Sequence, residues 1–321
     1  MPYRVLLTGA TGFVGTAVLR ALHGSVAADG RAVVVRALTR APAGGSPEPS
    51  GTEWASADFT DPASLDGLAE DVDAVVHLAS RIAGSEAQCE AVNVQGTRAL
   101  VREARRAGVG RIVHLSTSAV YGPGPHDGIR ENEIVPAPVS PASRTRLAGE
   151  AYALAADGVV LRPGLIQGAG DRWVVPALAE LRQRVPARWG DGPARLSVVD
   201  VADLARLIAA LARAPRAVAS GIYHASHPVP VHSADLLAEL TALGVLPPVS
   251  REWTWEQCLR RLRETPGRMS ERQFALLATD HWYRSEEIWR LAQCPAGPGP
   301  LARLADSAPW YRAHLDTLAD A

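Results

Sequence analysis

Residues 8–15 read Thr-Gly-Ala-Thr-Gly-Phe-Val-Gly, between an apolar run, Tyr3–Thr8, and a helical pattern that starts over Thr16–Leu22. A chain passing from strand to helix through glycines at 9, 12 and 15 must turn tightly, admit a ligand to its backbone and lay the helix close on the sheet. Each task favours a residue without Cβ. The helix start then offers free N–H groups and the positive end of the helix dipole, which suit a pyrophosphate. The strand before and the helix after make the spacing informative. Gly9, Thr11, Gly12, Phe13, Val14 and Gly15 are therefore candidate dinucleotide contacts.

The pattern continues. Ala32–Leu38 reads as a second buried strand, Ala41–Gly51 as a Gly/Pro/Ser loop, and Asp61-Pro62 as a capped helix start. Strands are expected at Ala74–Leu78, Arg111–Ser116 and Val159–Arg162. Helices are expected over Val92–Ala107 and from Ser140-Pro141 to near Gly158, and a long polar loop over Gly122–Pro138. Alternating strands and helices imply parallel pairing with right-handed crossovers. The expected class is α/β: a Rossmann-type doubly wound parallel sheet over residues 1–165, with a smaller, mostly helical C-terminal substrate lobe over 166–321 and some later return of chain to the sheet.

Composition narrows the function. The 321 residues carry a formal net charge of −1 without a polybasic block, which argues against nucleic acid as partner. No apolar run is long enough to span a membrane, and Met1–Leu7 lacks the features of a signal peptide. The widely spaced Cys89, Cys258 and Cys294 suit neither a disulfide framework nor a thiolate metal site, so no metal is expected and the compartment reads as cytoplasmic. All 33 basic residues are arginine, which excludes lysine chemistry.

The turn departs from G-x-G-x-x-G and resembles that of the extended short-chain dehydrogenase/reductase family, the epimerase/dehydratase-like branch. Val76–Ser80, Asn93–Thr97, Leu115–Gly122, Leu161–Gly164, Leu196–Leu204, Asp280–Ile288 and Trp310-Tyr311 resemble further motifs of the family in the same order, covering almost the whole chain. The resemblance implies a nicotinamide dinucleotide lying also against Leu78, Ala79, Ser80, Asn93, Ser116, Pro163, Gly164 and Leu165. Asp58-Phe59 sits where the family contacts adenine.

Rossmann-type sites select NAD with an acid at the end of the second strand and NADP with a cation. Here Val35-Arg36-Ala37-Leu38-Thr39-Arg40 offers no acid, and Arg40 stands where a 2′-phosphate would fall, with Arg36 as second candidate. NADPH is the expected cofactor, with NADH possible. The resemblance also implies a Tyr–Lys pair one helical turn apart and a Ser/Thr on the preceding strand. Ser140–Glu150 aligns without a gap, yet the Tyr position is Ala142 and the Lys position Arg146, while Thr117 retains the third. A positioned general acid is worth ~10²–10⁴ in rate, so its loss demands another proton source. Candidates are Tyr121, Ser118, Ser143, His126, or a phenol on the substrate that quenches the reduced oxygen itself. His77 and His114 read as core residues.

Three readings stay open. The first is an NADPH-dependent ketoreductase acting on a polycyclic aromatic, angucyclinone-like polyketide, with Thr117 and Arg146 orienting and stabilising charge. The missing pair is similar to that of atypical angucyclinone ketoreductases of antibiotic biosynthesis. The second is another epimerase or dehydrogenase, on a nucleotide sugar or other small molecule, with a relocated acid. The third is a non-catalytic NADP-binding sensor. Seven tryptophans after residue 170 (Trp173 foremost) could stack on a planar ligand, and Arg172, Arg182, Arg184, Arg188 and Arg195 could converge on a diphosphate. A monomer or a homodimer is expected, with a small-molecule substrate.

Overall fold

A computed structural model describes residues 1–40, 51–189, 194–214 and 218–319; the loop expected over Ala41–Gly51 falls, but for its last residue, outside them. The centre is a seven-stranded sheet of β1 (Tyr3–Thr8), β2 (Val33–Thr39), β3 (Glu53–Ser56), β4 (Ala74–His77), β5 (Arg111–Leu115), β6 (Val159–Arg162) and β7 (Gly221–His224). Their order is β7-β6-β5-β4-β1-β2-β3, every pair parallel. The order reverses between β1 and β4, so a crevice opens beyond their carboxyl ends, where such sheets bind ligands.

Successive strand residues face opposite layers. Val5 and Leu7 point to α1 (Phe13–Leu22) and to the helix Val201–Arg213, packing with Val18, Leu22, Leu204 and Ile208. Leu6, Val75, Ile112 and Val160 point the other way, to α2 (Thr97–Arg106) and α3 (Pro141–Leu154), against Leu100 and Ala153. Burial on both faces explains why these strands read as continuous apolar runs rather than alternating ones.

A second core, built on Val175, Leu178, Leu240, Phe274 and Tyr311, holds the C-terminal part together. A four-stranded sheet runs beside it, in the order Val231–His232, Arg195–Leu196, His281–Tyr283, His126–Ile129. The boundary at 165 is thus crossed both ways: β7 and Val201–Arg213 return to the main sheet, while His126–Ile129 leaves to pair with His281–Tyr283.

Several expectations change. The helix expected from Val92 begins at Glu86, because Ser85 and Gln88 form a reciprocal capping box, and it passes through a π turn, Ala91–Gly96, before α2. The helix start at Asp61-Pro62 is a single 3₁₀ turn, Pro62–Leu65, with Asp61 accepting from the Ala63 N–H. Before β6 two strands went unread, β3, a four-residue edge strand, and His126–Ile129, which lies in a segment read as polar loop; after β6 none of the strands was located, β7 included.

Candidate active site

The glycine turn has the geometry its sequence requires. Gly9 has φ +66°, and a Cβ there would lie 2.8 Å from the Ala79 nitrogen; a Cβ on Gly15 would lie 1.9 Å from the Gly9 oxygen. Gly12 is the N-cap of α1, and no side chain caps that helix, so its first N–H groups face the crevice without a side-chain acceptor. Val14 packs on the core with its side chain. Opposite the turn, the Thr8 hydroxyl accepts from the Leu78 and Ala79 N–H groups at 3.1 and 3.0 Å, and bonds His77 Nδ1 at 2.8 Å. His77 Nε2 meets the Thr97 hydroxyl at 2.9 Å. One buried chain of polar contacts thus fixes the end of β4 relative to the turn.

A cavity of about 430 Å³ lies there, lined by Gly9, Thr11, Gly12, Arg40, Asp58, Phe59, Leu78, Ala79 and Ser80. Most of the expected adenine-half contacts therefore share one wall. Asp58 Oδ1 accepts from the Thr60 N–H and hydroxyl, each at 2.8 Å; these bonds, with the nearby Arg40 charge, hold its carboxyl below the ordinary range. Phe59 turns its ring onto His77 at 5.3 Å between centroids. Arg36 is spent on Glu53 and on the Leu68 and Glu70 carbonyls, which leaves Arg40 as the candidate for a 2′-phosphate. Phe13, by contrast, lines a neighbouring groove of about 960 Å³ with Arg172, Trp173 and Trp310.

Three expected contacts are corrected. Asn93 is buried and its amide is consumed: Oδ1 accepts from the Arg81 N–H, and Nδ2 donates to the Arg81 carbonyl and the Thr145 hydroxyl. It holds the loop that follows β4 and does not reach the cavity. Ser116 is fully buried with its hydroxyl on Glu150, while its own N–H donates to the Leu161 carbonyl. Tyr121 stands behind the cavity wall and not among its lining residues. It is 2% exposed, its hydroxyl lies between Arg162 Nη1 at 2.9 Å and His224 Nε2 at 2.7 Å, and burial raises its pKa.

At the chemical end, α3 opens with a capping box of Ser140 and Ser143 and with Pro141 at its first position. Ser143's hydroxyl is engaged in that cap. Ala142 presents a methyl group where the resemblance implied a phenol. One turn on, Arg146 donates through Nη2 to the Leu115 and Ser116 carbonyls at 3.0 and 2.6 Å, while its Nε is buried without a partner. Burial pushes its pKa down to about 10, opposed by the Glu150 charge, so it stays cationic at neutral pH. Both ring nitrogens of His114 are buried and unpartnered, and burial keeps the ring neutral. Its place in the core agrees with the sequence reading.

Thr117 accepts from the Ala119 N–H and starts a 3₁₀ turn, Ser118–Tyr121. With Ser118, Gly164, Leu165 and Tyr283 it lines a largely apolar cavity of about 190 Å³. Pro163 supports that wall from behind, its carbonyl accepting from the Ser118 N–H. No tryptophan lines this cavity: Trp189, Trp253, Trp255 and Trp310 pack on the second core, and Trp289 is buried in the first. Nor do the five arginines converge on one site: Arg184 is tied to Glu180 and backbone carbonyls, Arg195 to Asp280 and Asp127, Arg172 lines the groove beside α1, and only Arg182 and Arg188 share a cavity, a separate one of about 870 Å³.

The residue that sequence reasoning missed is Tyr283. It lies in the strand His281–Tyr283, 162 positions after Tyr121 in the chain, stacks on Tyr121 at 5.4 Å, and meets His126 Nδ1 at 2.9 Å through its hydroxyl. Nothing local to Trp282-Tyr283-Arg284 signals this.

The family model described as the NAD dependent epimerase/dehydratase family matches residues 5–225. The chain is 29% identical over 314 residues to a 2-alkyl-3-oxoalkanoate reductase of Stenotrophomonas maltophilia, covering 89% of this chain and 93% of that one. It is 30% identical over 200 residues to a 4-hydroxy-2-methyl-3-oxo-4-farnesyl-3,4-dihydroquinoline-1-oxide ketoreductase of Stigmatella aurantiaca, covering 59% and 58%. A short-chain dehydrogenase/reductase superfamily structure from Agrobacterium tumefaciens, with bound NAD, superposes with a TM-score of 0.72 at 24% identity over 99% of this chain and all of that one. The glycine turn, the sheet order and the family match agree, and the chain belongs to the NAD dependent epimerase/dehydratase family of nicotinamide-dependent enzymes.

Proposed function

We propose that the protein is a ketoreductase that uses NADPH to reduce a carbonyl of a hydrophobic substrate, a polycyclic aromatic ketone of the angucyclinone type. The observation that carries this reading is the pairing of an intact dinucleotide crevice with Ala142 at the acid position, beside a largely apolar cavity. The chain's own residues fit the cofactor: the uncapped α1 terminus suits the pyrophosphate, Arg40 the 2′-phosphate, and the unpartnered Nε of Arg146 a ribose hydroxyl. Bound there, the reduced nicotinamide supplies hydride.

Thr117 orients the carbonyl, and Arg146 stabilises charge near it. Oxidation of a sugar hydroxyl, as an epimerase requires, needs a base that Ala142 cannot provide. Reduction of a ketone flanked by a phenol does not: the phenol shares its hydrogen with the carbonyl oxygen, and a phenolate, a far weaker base than an alkoxide, is what remains. The relatives named for reducing oxo groups support ketone reduction. The first of them favours one further substrate class, a 2-alkyl-3-oxo acid.

Two measurements test this. NADPH consumption with a hydroxytetralone whose phenol lies peri to the carbonyl is expected to exceed that with its methyl ether by at least about tenfold, one proton-transfer contribution. Equal rates would remove the substrate's phenol from the mechanism, and oxidation of NADPH by 2-alkyl-3-oxo acids alone would favour the second substrate class. Separately, Arg40→Ala is expected to weaken NADPH by roughly 10–10²-fold, the worth of a charged hydrogen bond, and to leave NADH binding unchanged. Equal weakening of both in a calorimetric titration would take Arg40 off the 2′-phosphate.

A further inference from the structure

The cavity beside Thr117 contains hydroxyl and imidazole groups that the reading above does not use. Most have other work. Ser140 and Ser143 cap one another at the start of α3. Thr117 caps the following turn, and Ser197 is held between the Tyr283 N–H and carbonyl. Arg272 is exposed at the rim. Ser118 differs: it is 8% exposed and lines the cavity together with Tyr283, whose hydroxyl it neighbours. That hydroxyl in turn meets His126 Nδ1 at 2.9 Å. His126 lies on the edge strand of the small sheet, away from the cavity lining. Serine and tyrosine side by side on the cavity wall, and the tyrosine bonded to a histidine that is 7% exposed on an edge strand, thus make a contiguous file of groups that can carry protons.

We propose that Ser118, Tyr283 and His126 form a proton relay that neutralises the reduced product, taking over the task of the tyrosine absent at position 142. The inference rests on the ketone-reduction reading and names the proton path at the same site. A phenolate made in an apolar cavity is costly unless it is hydrogen-bonded or protonated, and the file ends where the charge would form.

The step balances. Hydride adds to the carbonyl carbon, the C=O π pair moves onto oxygen, and that oxygen takes the neighbouring phenol's proton, leaving a phenolate. Ser118 gives its hydroxyl proton to the phenolate and takes that of Tyr283. Tyr283 takes the proton on His126 Nδ1, while Nε2 of the same ring receives one from solvent. The sum is ketone, reduced cofactor and one proton giving alcohol and oxidised cofactor. Burial, with the neighbouring His281 charge, lowers the His126 pKa, which suits an imidazole that passes protons as a neutral ring.

Ser118 and Tyr283 face the substrate; His126 acts through Tyr283. The test uses the full chain, NADPH and the peri-hydroxylated tetralone. Tyr283→Phe keeps the ring that stacks on Tyr121 and is expected to lower kcat roughly 10–10²-fold, abolish the solvent deuterium effect seen in the wild type, and leave the Kd for NADPH unchanged. Ser118→Ala is expected to match it, and His126→Ala to recover rate when imidazole is added. Wild-type kcat and isotope effect in both Tyr283→Phe and Ser118→Ala would overturn the relay while ketone reduction stands. If Tyr283→Phe loses NADPH binding, Ser118→Ala decides. Absence of turnover in the wild type would remove the underlying reading and the relay with it.

Discussion

Arg162→Leu is expected to cost about 3–5 kcal/mol of folding stability, the usual penalty for leaving one partner of a buried ion pair alone. Arg162 and Glu150 are each about 2% exposed and meet through two bonds, at 3.0 and 2.5 Å. Glu150 also receives the Ser116 hydroxyl, and Arg162 donates to Tyr121. Removing the guanidinium leaves a carboxylate in the interior with a single neutral donor. The double variant, Arg162→Leu with Glu150→Leu, is expected to recover a large part of the loss, because the pair's Coulomb gain is offset by the cost of desolvating it. Denaturant titration of both checks the expectation. A single variant within about 1 kcal/mol of wild type would show that water reaches the site and screens it.

Acidification is the second large effect. Burial drives the pKa of His77 down to about 3 and that of His224 to about 4, and lowers those of His114 and His126 as well. A histidine whose folded pKa lies below its unfolded value binds its proton less tightly in the fold. Its contribution is fully present above about pH 6.5 and is lost as pH falls toward the folded value. Asp200 works the other way: burial raises its pKa to about 6, so the fold binds that proton more tightly and gains stability as pH falls from about 6 to about 4. Two histidines against one aspartate leave a net loss of roughly 3 kcal/mol between pH 6.5 and 4.5. Chemical denaturation at a series of pH values measures it. A flat profile over that interval would show that the imidazoles open to solvent before the chain unfolds.

Much of this was legible along the chain, and the boundary between what was and what was not has a physical basis. The glycine turn, β1 and β6 could be located to the residue, because an apolar run broken by Gly or Pro carries its structure locally. The absence of an acid at Ala142 and the arginine at position 40 were equally visible, since identity alone decides whether a side chain can give a proton or pair a phosphate. What those letters could not convey is how a polar side chain spends its hydrogen bonds. Asn93, Ser116 and Tyr121 were credible site residues until the fold brought Arg81, Glu150, Arg162 and His224 against them. Tyr283 met the opposite fate: nothing in the sequence singled it out or linked it to His126, which the sequence did offer as a proton source. They lie 157 positions apart, in a short strand and in a segment that reads as loop, and only sheet pairing in the C-terminal part brings them together. Local pattern and residue identity therefore determined the scaffold and the missing acid. Which hydroxyls and imidazoles remain available for chemistry was decided by tertiary packing, because a hydrogen bond is satisfied by whatever lies near in space, at any distance along the chain.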